Sequence, residues 1–166
     1  MNSDIAEFLR GTRTDHAGRY LRDALRNPDS WLEDTHDFIQ WWFPLPDLSA
    51  HFPGAPTVPV EQFADLSREK KIVDNVRRAF DRMAAFYGFD RKDGELVCAS
   101  NHRERTELWA NRETHNDKRI SRMIRSMTLF GLRDDSARFF DVARLAIAGR
   151  GDHKALSFWS GALKAG

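Results

Sequence analysis

The chain carries the stretch DTHDFIQWWFPLP at residues 34–46, in which four aromatic residues and one isoleucine fill five of the six positions from Phe38 to Phe43. Burial of one aromatic side chain removes roughly 150–250 Å² from water and stabilises the folded state by roughly 4–6 kcal/mol before entropic costs. A solvent-facing helix would leave too much of this surface in water. We therefore expect this stretch, called the aromatic block below, to anchor the core.

The spacing around the aromatic block predicts one helix with a broad apolar face. Apolar positions recur at helical intervals from Trp31 to Trp42. The helix must end at Phe43, because a residue that precedes proline is disfavoured in the helical region. The following segment, residues 44–59, contains several prolines together with Leu45, Leu48 and Phe52, and we expect it to be irregular but held against the body of the protein.

The rest of the chain shows mainly helical periodicity. Gly88 and Gly131 follow two strong apolar stripes and are expected to end them, Gly88 as a left-handed cap. Only Leu96–Cys98, after the turn-forming residues 90–94, suggests an extended piece. We predict an all-α single-domain bundle of six or seven helices over residues 1–166, with a Pro-rich irregular segment; the main helices are expected at 59–66, 67–87, 115–130, 134–148 and 152–163, the last capped by Asp152.

Composition narrows the class of protein. With 26 basic and 25 acidic residues the net charge is +1, so no overall field attracts nucleic acid or an anionic membrane. The single cysteine, Cys98, excludes an internal disulfide and fits a reducing compartment. The sequence shows no signal-peptide pattern and no stretch of about 20 apolar residues. We expect a soluble, cytoplasmic protein.

The sequence offers no motif for catalysis, a metal or a cofactor. The six histidines include no i, i+4 pair and no His-Glu-x-x-His motif. No phosphate-binding loop, dinucleotide fingerprint or Gly-x-Ser-x-Gly elbow occurs. We therefore expect a protein that is not an enzyme and that requires no metal or cofactor.

Three blocks in this order carry a family resemblance: HDFIQWWFPL at 36–45, FDRMAAFYG at 80–88 and THNDKRISRMIRS at 114–126. They resemble the conserved domain of the opioid growth factor receptor family over about residues 20–163, with residues 1–19 poorly matched. The resemblance implies a binding domain, since vertebrate members are described as binding the pentapeptide Met-enkephalin. Those members carry further sequence, including repeats, so this chain resembles a microbial-type stand-alone member. Asn101 falls where the family tends to place an asparagine.

The third block contains the best candidate site. Arg119 and Arg122 lie one turn apart on one side of the predicted helix and could bind a carboxylate or phosphate. His115 and Asn116 lie at the helix start, where free N–H groups favour an anion. Alternatively, Asn116 caps the helix and the arginines pair with Glu33, Asp34 or Asp37 of the aromatic helix.

His36 and Trp41 could complete this site. His36 could join the anion site or bond a neighbouring carbonyl, and Trp41 could line a groove or be an ordinary core residue. We predict a pocket between the aromatic helix and the helix that begins at His115. It would accept a peptide or a small anionic ligand, whose identity the sequence leaves open.

Two other functions remain open at the level of sequence. Lys118, Arg119, Arg122 and Arg125 could form a basic face for nucleic acid or a protein, although the wheel directs Lys118 and Arg125 to solvent and Arg119 elsewhere. An uncharacterised enzyme could use His36, Asn101, His115 and Arg119. The sequence does not indicate an oligomeric state.

Overall fold

The computed structural model describes residues 3–49, 52–111, 113–150 and 154–165. Within these ranges the chain forms ten helices and one antiparallel hairpin: α1 Ser3–Arg10, α2 Leu21–Ala24, α3 Asp29–Asp34, α4 Ile39–Trp42, α5 Val60–Leu66, α6 Lys70–Phe86, β1 Phe89–Lys92, β2 Glu95–Cys98, α7 His102–Trp109, α8 His115–Leu129, α9 Arg133–Ile147 and α10 Ala155–Lys164. The prediction of a predominantly all-α fold is confirmed. The helices outnumber the expected six or seven because several are single turns. None of the described helices has the length and apolar character needed to cross a membrane.

The chain folds as two compact units, Met1–Ala79 and Phe80–Gly166. The division falls within α6.

The aromatic block anchors the core of the first unit, but it is not part of one long helix. α3 ends at Asp34, Thr35 is extended with φ −96° and ψ 126°, and a new helical turn begins at Ile39. The prediction of a continuous helix from Trp31 to Trp42 is therefore wrong. Polar contacts of Asp37 with an earlier loop favour the interruption, while the large side chains on both sides of it are still buried, among them Leu32, Phe38, Trp42 and Phe43.

The Pro-rich segment is irregular and partly held against the first unit, as predicted. The Val58 amide donates to the carbonyl oxygen of Leu45 at 3.1 Å, and both side chains are buried. Leu48 departs from the expectation, since it is 76% exposed. Pro59 occupies the N-cap position in an extended conformation, and α5 begins at the next residue.

Two polar contacts within the first unit join the N-terminal helix to α6 and to Glu69, the residue that precedes it. Arg10 donates from Nε and Nη2 to the two carboxylate oxygens of Glu69, each at 2.6 Å. Asn75 Nδ2 donates to the carbonyl oxygen of Leu9 at 2.7 Å in a buried position. The Arg10–Glu69 pair has the bidentate geometry that makes arginine–carboxylate pairs specific.

The extended piece predicted near Leu96 is one strand of a hairpin in the second unit. β1 and β2 pair with Phe89 opposite Cys98 and Lys92 opposite Glu95. The two-residue turn is Asp93-Gly94, both with positive φ (51° and 85°), which matches the right-handed twist of a hairpin. Leu96 is the buried residue of β2. Helix α9 packs against this strand.

In the second unit α10 packs on both α8 and α9, which also pack on each other. Trp159 of α10 is fully buried and its indole Nε1 donates to the carbonyl oxygen of Asp117, near the start of α8, at 3.0 Å. Gly131 follows the end of α8, as predicted, and its φ is 76°. The proposed cap Asp152 lies outside the described residues.

Candidate functional site

Trp41 is a buried member of a polar network in the first unit. Its side chain packs edge-on against Phe8, with 5.3 Å between ring centroids, and only 6% of the residue is exposed. The indole Nε1 donates to Nδ1 of His16 at 3.0 Å. His16 Nε2 lies 2.9 Å from Oδ2 of Asp37, and both side chains are about a third exposed, 33% and 35%.

Asp37 is the residue on which the network converges. Arg19 donates from Nη2 to Asp37 Oδ1 at 2.9 Å and from Nε to Asp15 Oδ2 at 2.6 Å. Burial raises the pKa of Asp37, but the hydrogen bond and positive charge of Arg19, aided by His16, outweigh it and hold that pKa below the ordinary range. Asp37 is therefore a carboxylate at neutral pH.

The hydrogen bonds assign the tautomer of His16. An indole N–H only donates, so the Nδ1 atom that faces Trp41 must carry no hydrogen. The hydrogen of the neutral ring is then on Nε2, where it donates to Asp37. Both ring nitrogens are thus engaged in hydrogen bonds in this arrangement.

Two aromatic rings border this network. The guanidinium carbon of Arg19 lies 5.5 Å from the ring centroid of Trp31, and the His16 ring lies 4.8 Å from that of Phe52. Trp31 and Phe52 are both half-buried. We call the five residues His16, Arg19, Trp31, Asp37 and Phe52 the ionic–aromatic patch.

The predicted anion-site residues of the second unit include a buried polar cluster. Asn116 and Arg119 are 2% and 4% exposed. Asn116 Oδ1 accepts a hydrogen bond from the Tyr87 hydroxyl at 3.2 Å and a longer one from Arg119 Nη1 at 3.4 Å. The structure therefore brings Asn116 and Arg119 together and adds Tyr87, which the sequence did not nominate for a site.

The start of α8 is capped by Thr114, so the alternative in which Asn116 caps it is wrong. Thr114 Oγ1 accepts from the Asn116 amide at 3.2 Å, and the Thr114 amide donates to Oδ2 of Asp117 at 3.0 Å. This pair forms a capping box. A threonine outside a helix and an acidic residue three positions later provide the two acceptors that the first turn needs.

The other predicted site residues occupy more open positions. His36 is exposed and lies in the linker between α3 and α4. In the second unit Asn101 is exposed before α7, His115 is exposed at the first residue of α8, and Arg122 is half-buried. His36 and Trp41 thus belong to the first unit, and the other five to the second.

The basic run of α8 is divided between different environments. Lys118 is exposed, Arg122 and Arg125 are half-buried, and Arg119 is buried. The wheel placed Arg119 away from the solvent-facing residues, which agrees with its burial. One continuous basic surface is not formed by these four residues.

The second sequence block, residues 80–88, ends at Gly88, where the structure leaves no room for a side chain. Its φ is +95°, and a Cβ at this position would lie 3.0 Å from Cβ of Arg105 and 3.1 Å from Cα of His102. The Gly88 carbonyl oxygen lies 2.9 Å from His102 Nδ1, and Arg105 Nε donates to the carbonyl oxygen of Phe86 at 2.7 Å. Helix α7 thus packs directly against the backbone at the end of α6.

Sequence reasoning missed His16 and Arg19. They lie in the polar stretch that follows α1, where no periodicity marks a role, and they are 21 and 18 positions before Asp37. A weak local signal existed in Asp15 and Arg19, an oppositely charged pair four positions apart. Among the described residues, no group of three or more His, Cys, Asp or Glu side chains could hold a metal ion.

Comparison with known proteins shows one family. The model of the opioid growth factor receptor (OGFr) conserved region matches residues 19–146. Opioid growth factor receptor from Rattus norvegicus is 32% identical over 132 residues, which are 74% of this chain and 22% of the relative. The receptor from Homo sapiens is 32% identical, with 74% and 19% covered.

Opioid growth factor receptor-like protein 1 from Mus musculus is also similar, 33% identical over 122 residues, or 69% of this chain and 25% of the relative. The matched region thus spans a quarter or less of the length of these relatives. No solved structure matches the chain.

Proposed function

Because this chain belongs to the family of the opioid growth factor receptor conserved region, we propose that it is a peptide-binding domain and not an enzyme. The names of the relatives describe a receptor for a growth factor of the opioid class. For this chain we propose peptide recognition alone, and not the whole activity of the much longer relatives.

The observation that carries the proposal is the ionic–aromatic patch. Its charged groups hold each other in place, and its two half-buried rings offer apolar surface beside them. Preformed aromatic and arginine side chains dominate the binding energy of many protein interfaces, because they lose little conformational entropy on binding. Four of its five residues lie within the family-matched range 19–146.

Arg19 supplies the polar contact for the ligand. Within the described residues it uses Nε and Nη2 on the two aspartates, which leaves Nη1 available. A peptide carboxylate or another small anion would satisfy this nitrogen with a charge-assisted hydrogen bond. The ring surfaces of Trp31 and Phe52 would then contact apolar side chains of the peptide.

The second unit has candidate residues of its own, which are considered apart from the patch. His115 and Asn101 are exposed and Arg122 is half-buried, so each could contact a ligand of the second unit. Asn116 and Arg119 are buried, and they would support the start of α8 through Tyr87 rather than bind the ligand directly. The exposed His36 and the buried Trp41 would play the same two roles in the first unit.

Calorimetric titration with Met-enkephalin tests the proposal. We expect heat of binding for the free-acid peptide and weaker binding for its C-terminal amide, which lacks the carboxylate. Arg19→Gln should reduce the affinity by about tenfold or more, the usual effect of losing a charge-assisted hydrogen bond. Arg103→Ala is the matched control, because this arginine side chain is 92% exposed and pairs with Glu107 of its own helix.

Circular dichroism of both variants establishes that each is folded before the affinities are compared. Equal affinities of the Arg19→Gln variant and the control would contradict the assignment of the patch. Absence of binding to both peptides would remove Met-enkephalin as a ligand.

A further inference from the structure

His16 holds the loop between α1 and α2 against the aromatic block. Its ring nearly parallels that of Trp41, with an interplanar angle of 15° and 6.1 Å between centroids, and it contacts Phe52 on another side. Its two nitrogens join two different elements, because Nδ1 accepts from Trp41 of α4 and Nε2 faces Asp37 of the linker.

This arrangement is compatible with only one charge state of the ring. A protonated imidazole carries hydrogen on both nitrogens. The new hydrogen on Nδ1 would face the indole N–H of Trp41, so two donors would meet across a 3.0 Å separation. The contact between Nε2 and Asp37 survives protonation and becomes an ion pair.

We propose that protonation of His16 breaks its hydrogen bond with Trp41 and releases the Trp41 indole N–H, while the ring stays beside Asp37. This inference does not depend on peptide binding, because it rests only on the hydrogen bonds of one histidine.

The charge state of His16 depends on the charged groups that face its ring. From the linker comes Asp37, and from its own loop come Arg19, which shares that carboxylate, and Asp15 behind it. The described side chains that α4 and the Pro-rich segment present to the ring, Trp41 and Phe52, carry no charge. Arg19 and His16 both contact Asp37, whose pKa is held below its ordinary range, so Asp37 is the anion of this group.

Long-range proton–nitrogen NMR spectra of the full chain test the inference. At neutral pH we expect His16 in the Nε2–H tautomer and His102 in the Nδ1–H tautomer, since His102 Nδ1 faces the carbonyl oxygen of Gly88. On acidification, solvent exchange of the Trp41 indole proton should accelerate together with the titration of His16. His102 serves as the internal control in the same sample.

Two variants move the titration midpoint of His16 in opposite directions. Trp41→Phe removes the opposing donor and should raise the midpoint by about one pH unit, the equivalent of one hydrogen bond. Asp37→Asn removes the anion and should lower it by about one unit or more.

An Nδ1–H tautomer of His16 in the unaltered protein would overturn the inference. An unchanged midpoint in the folded Trp41→Phe variant would also overturn it. If that variant does not fold, the tautomer and the pH dependence of Trp41 indole exchange in the unaltered protein still decide the question.

Discussion

Replacement of Gly88 by alanine should destabilise the second unit by more than the cost of holding alanine at a positive φ. The residue follows α6 with φ +95°, a conformation that L-amino acids rarely adopt. Holding a non-glycine residue there costs about 1–3 kcal/mol. The new Cβ would also lie 3.0 Å from Arg105 Cβ, 3.1 Å from His102 Cα and 3.2 Å from the His102 carbonyl oxygen.

The close atoms include helix backbone, which cannot rotate aside as a flexible side chain does. Helix α7 must shift away from the end of α6, and overpacking of this kind costs about 1–3 kcal/mol. The two contributions together predict a loss of about 2–6 kcal/mol in the free energy of unfolding for Gly88→Ala.

Gly131→Ala is the matched control. Gly131 has a comparable φ of +76°, but a Cβ there meets no atom within 4 Å. The loss of unfolding free energy in Gly131→Ala should therefore reflect the left-handed backbone alone, about 1–3 kcal/mol. Urea denaturation of both variants measures the difference, which we expect to be about 1–3 kcal/mol. Equal losses would refute the inference that α7 packs too closely for a side chain at Gly88.

Two further variants test the core and the pH response of the first unit. Trp42→Ala should lower the free energy of unfolding by about 3–5 kcal/mol because the residue is fully buried. Trp42→Phe should cost clearly less, since the buried Trp42 Nε1 has no hydrogen-bond partner among the described residues; chemical denaturation that found equal losses would contradict this. The hydrogen bond and charge of Arg10 hold the pKa of Glu69 below its ordinary range, so this pair stabilises the fold above pH of about 4.3 and the contribution is lost as pH falls through the folded-state pKa. Thermal denaturation between neutral and acid pH should accordingly show a shallower acid loss for Glu69→Gln, and a curve parallel to that of the unaltered protein would disprove the assignment.

The elements that sequence predicted well are those with a sustained local signal. α6, α8 and α9 begin and end within a few residues of the predicted bounds, because each carries an apolar stripe over several turns and two of them end at a glycine with positive φ. Burial of Trp42 likewise follows from the ring surface that the aromatic block must hide.

The features that sequence missed depend on contacts between distant residues. The break between α3 and α4 coincides with the bonds of Asp37 to His16 and Arg19, and no local period records partners 21 and 18 positions away. For the candidate site, the sequence indicated polar residues at the start of α8 and offered Asn116 as one possible cap, where the structure has Thr114. Several polar residues were available there, and only the local backbone conformation distinguishes them.

The position of α10 affects the stability of truncated fragments of the domain and its folding during synthesis. The family match ends at residue 146, yet the Trp159 indole that covers the start of α8 belongs to a helix beyond that point. A fragment trimmed to the recognisable region would leave the Asp117 carbonyl without this donor and would bare apolar side chains of α8. During synthesis, α8 would likewise wait for a partner 42 positions further along the chain before its packing is complete.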